Sequence, residues 1–442
     1  MAAIQHPARL VVAGFAATVA VGTVLLSLPA AAERGHGAGF VDALFTATSA
    51  VCVTGLIVVD TPGHWSLFGE TVILALIQIG GFGIMTLASL LGLVTARRLR
   101  LRMQLTAQAE TKSLGLGEVR HVVVGVAKTS LLFEAATAGV LAARLWAGYG
   151  QPPGRAVYLG VFHAVSAFNN AGFALYSDSL GRFAGDPWIL LPIAAAVIAG
   201  GLGFPVWLEL RRRARMPRHW SLHVKVTVAM TVVLLSVSTV LVTMSEWNNP
   251  ATLGRLGVPG RLLAGFFQAV MTRSGGFNTI DIGAMEPATL LAMDVFMFIG
   301  AGSAGTGGGI KVTTFALLAF VILTEVRGER DVHVLGRRLP AGVQRQALAV
   351  ALLSVAAVMV GTFTLLVITP FGLDRVLFES VSAFATVGLS TGITAELPAT
   401  GQLLLVVLMF AGRLGPITLA SALALRERPR RYQFPEERPI VG

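Results

Sequence analysis

The 442-residue chain is 54% hydrophobic and 13% charged, about half the charged share of an ordinary soluble domain. That excludes a soluble globular protein and implies a polytopic membrane protein, with no sizeable soluble appendage expected at this length. The formal net charge of +11 would suit nucleic acid, but its placement, described below, excludes that reading. One cysteine, Cys52, rules out an intramolecular disulfide or a thiolate metal cluster; it reads as a small buried residue.

At the N-terminus, Arg9, an apolar run from Leu10 to Leu28 and Ala30-Ala31-Ala32 resemble a secretory signal with its cleavage site. The run is longer than the roughly 7–15 residues of a signal core, so it is expected to be a retained first transmembrane helix. Long apolar segments at 8–29, 68–94, 120–147, 187–209, 222–245, 288–325, 344–368 and 401–425 predict eight spanning helices of about 20 residues or more each. Between the members of each pair lies a segment too short to span, at 40–52, 157–169, 261–272 and 375–385. These read as half-helices that enter the membrane and stop.

A glycine-centred turn follows each half-helix: Val53-Thr54-Gly55-Leu56, Asn170-Ala171-Gly172-Phe173, Gly275-Gly276-Phe277-Asn278 and Val387-Gly388-Leu389-Ser390. Small, hydroxyl-rich runs precede them: FTATSAVC, HAVSAFNN, QAVMTRSG and ESVSAFAT. This is an internal repeat. It predicts an all-α integral membrane protein of four tandem membrane–pore–membrane units around a central pore, spanning residues 1–96, 97–215, 216–330 and 331–442. Non-helical backbone at membrane depth survives only where it is buried in protein or lines a wet cavity. Glycine permits the φ values that aim successive carbonyls inward, so Thr54, Gly55, Ala171, Gly172, Gly275, Gly276, Val387 and Gly388 are the candidate ion filter. A cation would be held by the backbone carbonyls of Gly55, Gly172, Gly276 and Gly388. No charged side chain falls within the turns; the half-helix C-termini would add their negative dipole ends. Asp60, Asp178 and Asp281 follow three of the turns, either as a cation-concentrating vestibule or as caps of loops and helix starts.

Arginines cluster at 97–102, 211–215, 327–338 and 426–431, each after the second long segment of a repeat. The positive-inside rule places these clusters and both termini in the cytoplasm, beside anionic lipid headgroups.

The third repeat carries Gly300-Ala301-Gly302-Ser303-Ala304-Gly305-Thr306-Gly307-Gly308-Gly309-Ile310-Lys311. Interior glycine costs a helix about 1 kcal/mol relative to alanine, so the segment predicts a break at membrane depth, beneath the filter. It is not a phosphate loop: Ile310 separates glycine from Lys311, Val312 follows, and no strand flanks it. Gly302, Gly305, Gly307, Gly308, Gly309 and Lys311 are therefore read as a movable gate, against a static packing loop as the alternative. Arg413, amid the last apolar segment, is functional by default because a charge there is costly. It either faces the pore as an electrostatic barrier or pairs with a carbonyl or carboxylate of the gate. His163, Asn169 and Asn170 are given no role beyond structure. No HExxH, GxSxG or catalytic acid–base pair is found, so no enzyme activity and no organic cofactor are expected.

TSAVCVTGL, SAFNNAGF, RSGGFNT and SAFATVGLST, with GSAGTGGGIKVTT and FAGRLGP, resemble the Trk/Ktr/HKT superfamily of cation transporters over essentially the whole chain. Its length, eight spans and Phe434-Pro435-Glu436-Glu437-Arg438-Pro439 are similar to the KtrB branch. The resemblance implies potassium uptake, in many members sodium-stimulated, by a homodimer in the bacterial inner membrane. It also implies docking on a cytosolic ring of nucleotide-binding RCK subunits. Sodium-selective members often carry serine at the first filter position; Gly55 here points to potassium. The alternatives are a Trk-like or sodium-conducting relative, or a non-transporting membrane enzyme or scaffold. Ser274-Gly275 stands where many relatives have threonine and alanine, which is expected to loosen the third turn slightly.

Overall fold

The computed structural model describes residues 7–33, 35, 37–104, 116–329 and 331–415. Its helices recur in one order: a long apolar helix, a short helix, an extended turn and a second apolar helix. The first round comprises α1 (Pro7–Leu26), α2 (Phe40–Val51), a single turn α3 (Thr61–His64) and α4 (Leu67–Gln104). The second comprises α5 (Leu116–Tyr149), α6 (Pro153–Phe168), α7 (Pro187–Leu202) and α8 (Phe204–Arg213). The third comprises α9 (Leu222–Ser245), α10 (Val258–Thr272), α11 (Pro287–Phe298) and α12 (Val312–Val326). A small antiparallel hairpin, β1 (His333–Val334) with β2 (Arg337–Arg338), leads to the fourth: α13 (Ala341–Ile368), α14 (Leu373–Phe384) and α15 (Ala399–Leu414).

The short helices begin up to four residues earlier than the apolar pattern suggests. Prolines occupy the first turn of α6 and α10, where a missing N–H leaves no bond unmade and φ is already helical. These helices are the core, with their C-terminal halves buried. The long helices instead turn apolar side chains outward, among them Leu132, Val240 and Phe363. An apolar exterior, with the backbone's hydrogen bonds made inside the protein, is the arrangement lipid demands.

The expectation of straight helices over 187–209 and 288–325 needs correction. Among the described residues, five helices are long and apolar enough to cross a membrane, or six if α7 and α8 count as one span. That pair is not the straight 187–209 helix expected, because it bends by 98° at Gly203. Gly203 has φ +87°, and Pro205 in the first turn of α8 brings no N–H to continue the ladder. The 288–325 segment is likewise two helices, α11 and α12, around residues 299–311. The last segment is described only to Gly415. Arg426–Arg431 and Phe434–Pro439 lie outside the described residues.

One contact recurs in three rounds. Gly80 of α4, Gly200 of α7 and Gly412 of α15 each lie against the carbonyl at or near the end of the preceding short helix: Val51, Phe168 and Phe384 respectively. A Cβ on any of the three would collide with that oxygen. Small residues let helices approach this closely inside a membrane. Gly412→Ala is therefore expected to lower the unfolding temperature of the detergent-solubilised protein, at an overpacking cost of about 1–3 kcal/mol. Gly139→Ala, where no atom lies within 4 Å of an added Cβ, should stay within about 0.5 kcal/mol of the parent.

Candidate functional site

The four turns meet. Each contains two left-handed residues at the same offset: Val53, Asn170, Ser274 and Thr386 (φ 55°, 61°, 90° and 49°), then two residues later Gly55, Gly172, Gly276 and Gly388 (φ 92°, 71°, 74° and 90°). The carbonyl between them faces the glycine of a neighbouring turn in cyclic order. Ala171 O lies against Gly55, Gly275 O against Gly172, Val387 O against Gly276, and Thr54 O against Gly388, closing the ring. A Cβ on Gly172 would sit 2.6 Å from the Gly276 Cα, and one on Gly276 would sit 2.8 Å from Val387 O. Glycine is thus required twice over, by φ and by space. All eight expected filter residues are brought to this ring.

Three turns are braced by a serine six residues before the glycine. Ser49 Oγ accepts from Gly55 N at 3.0 Å, Ser382 Oγ accepts from Gly388 N at 3.1 Å, and Ser166 Oγ donates to Phe173 O at 2.8 Å. The residues just before the glycines, Thr54, Ala171 and Val387, also donate their N–H to the carbonyls of those serines, at 2.7, 2.7 and 2.9 Å. The third turn has Val270 at the equivalent place and its own pattern, with Gly275 N donating to Met271 O. The bonding of the third turn thus differs from that of the other three.

Buried polar side chains extend the bracing. His163 donates from Nδ1 to Leu159 O and accepts at Nε2 from Leu175 N; a carbonyl can only accept and an amide only donate, which fixes the neutral tautomer. Glu379, fully buried, accepts from Ser390 Oγ, Thr391 N, Thr391 Oγ1 and Thr394 Oγ1. Asn169 donates to Gln78 and Glu134. Sequence reading missed the serine braces, Glu379 and the glycine contacts of Gly80, Gly200 and Gly412. The aligned offset of Ser49, Ser166 and Ser382 was the available signal.

On one side of the ring opens a cavity of about 570 Å³, lined by the four glycines, Asp60, Asp178 and Asp281. The aspartates line this cavity and also make the local bonds of caps. Asp281 caps Gly283 N, Asp178 caps Arg182 N and pairs with its guanidinium, and Asp60 accepts from Ser177. Burial raises the Asp178 carboxyl, but the Arg182 bonds outweigh it and hold the group below the usual aspartate value, so it stays ionised at neutral pH.

On another side of the turns lies the glycine-rich segment. Ile310 N bonds Phe298 O and Val312 N bonds Ala301 O, pinching its ends together. Gly302 N and Thr306 N donate to Gly201 O and Gly200 O at the α7 break. Thr306 Oγ1 lies 3.0 Å from Asn170 Oδ1, and Gly308 N donates to Ser274 Oγ at 3.3 Å. Lys311 Nζ donates back to Gly307 O. Arg413, 5% exposed, donates to Thr306 O and to Gly80 O. Arg413 thus bonds a carbonyl of the glycine-rich segment. Among the described residues, no group of three or more His, Cys, Asp or Glu could hold a metal ion.

The fold is thus a multi-pass helical membrane protein that gathers four glycine turns at one axis between an acid-rimmed cavity and a glycine-rich segment. The TrkH cation transport protein family model matches residues 10–430, and the chain belongs to that family, one of transporters rather than enzymes. It is 40% identical to the Ktr system potassium uptake protein B of Vibrio alginolyticus, over 98% of this chain and 94% of that protein. It is 33% identical to the potassium/sodium uptake protein NtpJ of Enterococcus hirae, over 99% and 97%. The crystal structure of the potassium transporter TrkH from Vibrio parahaemolyticus superposes with a TM-score of 0.74 at 18% identity, covering 93% of this chain and 85% of that one; the fold is shared.

Removing the Glu379 brace takes away the shared acceptor of two buried hydroxyls (Thr391, Thr394), the part-buried Ser390 hydroxyl and the Thr391 amide. Glu379→Ala is expected to lower the unfolding temperature, at about 1–3 kcal/mol for each group left unsatisfied, with Glu379→Gln between it and the parent. An alanine variant that unfolds at the parent's temperature would show that the brace contributes nothing.

Proposed function

We propose that the ring is a carbonyl ion filter and that this chain is the membrane subunit of a potassium uptake system. The observation that carries this reading is the cyclic order in which the carbonyls of Thr54, Ala171, Gly275 and Val387 face successive glycines. Carbonyl dipoles replace a cation's hydration shell, and the ends of α2, α6, α10 and α14 add negative potential at the same point. Four units, at 1–96, 97–215, 216–330 and 331–442, each supply one quarter of the filter. The cavity rimmed by Asp60, Asp178 and Asp281 is the outer vestibule, concentrating cations. A negative-inside potential supplies about 2.3 kcal/mol per 100 mV for each cation entering, so accumulation needs no chemical step.

The segment Gly302–Lys311 is the gate, held shut in part by Arg413. The relative named for the Ktr system supports a partner subunit; the family resemblance implies that this is a cytosolic, nucleotide-binding RCK ring on which a homodimer of the chain docks. Arginine-rich segments on one side support placement in a bacterial inner membrane with both termini in the cytoplasm. Similarity to a protein named for potassium and sodium uptake supports a second reading, a sodium-conducting or sodium-stimulated pore.

Liposomes containing the purified protein should take up potassium in preference to sodium, with the cytosolic partner added if the bare subunit is silent. Gly55→Ser is expected to reduce the potassium-to-sodium flux ratio by at least about fivefold, the effect of roughly 1 kcal/mol, because the new side chain meets Ala171 O. A wild-type ratio in that variant would remove Gly55 from the filter. Deleting Gly305–Gly309 should raise flux; unchanged or lower flux in a folded deletion would favour a static packing loop.

A further inference from the structure

The third turn is the one whose brace comes from outside its own helix. Ser49, Ser166 and Ser382 secure the other three from within α2, α6 and α14. Val270 in α10 has no hydroxyl to do the same. The polar group nearest to that task is the turn's own Ser274, fully buried. Its Oγ donates to Thr386 O at 3.1 Å, in the fourth turn, and accepts from Gly308 N at 3.3 Å, in the glycine-rich segment. The fit around that hydroxyl is close, since a Cβ added to Gly307 would lie 2.9 Å from Ser274 Oγ. Ser274 also has the widest positive φ of the four left-handed residues at its offset, 90°, a conformation that costs a non-glycine residue about 1–3 kcal/mol and persists only where surroundings impose it.

We propose that Ser274 is a selectivity-setting positioning residue whose anchor is the glycine-rich segment, so that moving this segment away from the ring also loosens the third turn. The inference rests on the filter-and-gate reading above and adds a specific consequence to it. A withdrawn segment takes Gly308 N with it, and the Ser274 hydroxyl loses the donor that orients it toward Thr386 O. The third and fourth turns then lose their direct side-chain link. The first and second keep their serine braces, which do not touch the segment. An open gate therefore discriminates less between potassium and sodium than a closed one that leaks, and the third turn is the one left without a hydroxyl brace.

The test is the potassium-to-sodium flux ratio in liposomes for the parent, Ser274→Ala, Ser274→Gly, the Gly305–Gly309 deletion, and the deletion combined with Ser274→Ala. Ser274→Gly removes the hydroxyl while relieving the left-handed backbone, so it guards against a variant that fails to fold. Expected are a fall of about fivefold in the ratio for both substitutions, the effect of one ordinary hydrogen bond, and a similar fall on deletion. In the deleted background Ser274→Ala should change nothing further, because the two act through one contact. Ser382→Ala, whose brace is independent of the segment, should reduce the ratio equally with or without the deletion. A parental ratio in both Ser274 variants, or a Ser274→Ala effect that persists in full after deletion, would overturn the coupling while leaving the pore in place. Absence of cation flux from the parent, with partner present, would overturn the pore reading and the coupling together.

Discussion

The structure depends on one constraint: four backbone turns must approach a common axis more closely than any side chain allows. Each carbonyl that faces a neighbouring turn does so because the residue before it and the glycine after it are left-handed. That geometry is reached at low cost only where the second of the two has no Cβ. The rest of the fold serves the approach. The short helices end at the axis, and glycines 80, 200 and 412 let the following helices lie directly on the ends of three of them. Serines and a buried glutamate then take up the polar groups the turns expose. Remove the close approach and each of these features loses its purpose; keep it and each follows from satisfying backbone in a place without bulk water.

Two buried guanidiniums sit in this framework, and both bond carbonyls rather than carboxylates. Arg413 donates to Thr306 O and Gly80 O, and Arg273 to Thr231 O and Gly300 O. The Thr306 and Gly300 carbonyls lie in the interruption between α11 and α12, and those of Gly80 and Thr231 lie within α4 and α9, so the break gives each buried cation one of the partners it needs. The same breaks that make the glycine-rich segment thus make places for positive charge near the ring. Two guanidiniums held there would oppose one another and, on the proposed filter reading, a permeating ion.

Much of this was legible in the sequence because it repeats. Four glycines at matched offsets after hydroxyl-rich runs identified the ring, and the density of glycine from Gly300 to Gly309 identified the break. The length of the spans was not legible, since hydropathy is blind to a bend: Gly203 and Pro205 turn α7 into α8 within a continuous apolar run. The braces were harder still. Serine is common in membrane helices, and only the meeting of Ser49, Ser166 and Ser382 with their turns shows that the offset matters. Glu379 stands in a segment that reads as an ordinary amphipathic half-helix, and its four partners come from residues 390–394, beyond any helical period. Arg413 was recognisable as costly, but its choice between open path and loop carbonyl is a matter of tertiary placement.

The strength of the glycine-rich segment's attachment bears on the gate role proposed for it. The segment is attached to its surroundings through Gly302 N and Thr306 N on the α7 break, Thr306 Oγ1 on the second turn, Gly308 N on Ser274, and the guanidiniums of Arg273 and Arg413. Hydrogen bonds between membrane helices average about 0.6 kcal/mol, and those from a charged donor run to about 1.5–3 kcal/mol. The total is several kcal/mol, of the same order as the roughly 5.5 kcal/mol that carries a two-state element from almost always closed to almost always open. A packed helix would demand far more, because its apolar contacts would have to be broken as well. A glycine-rich segment has few such contacts to lose. On the proposed gate reading, its composition would keep closure and opening within reach of one binding event, and a substitution that added a side chain there would shift the balance.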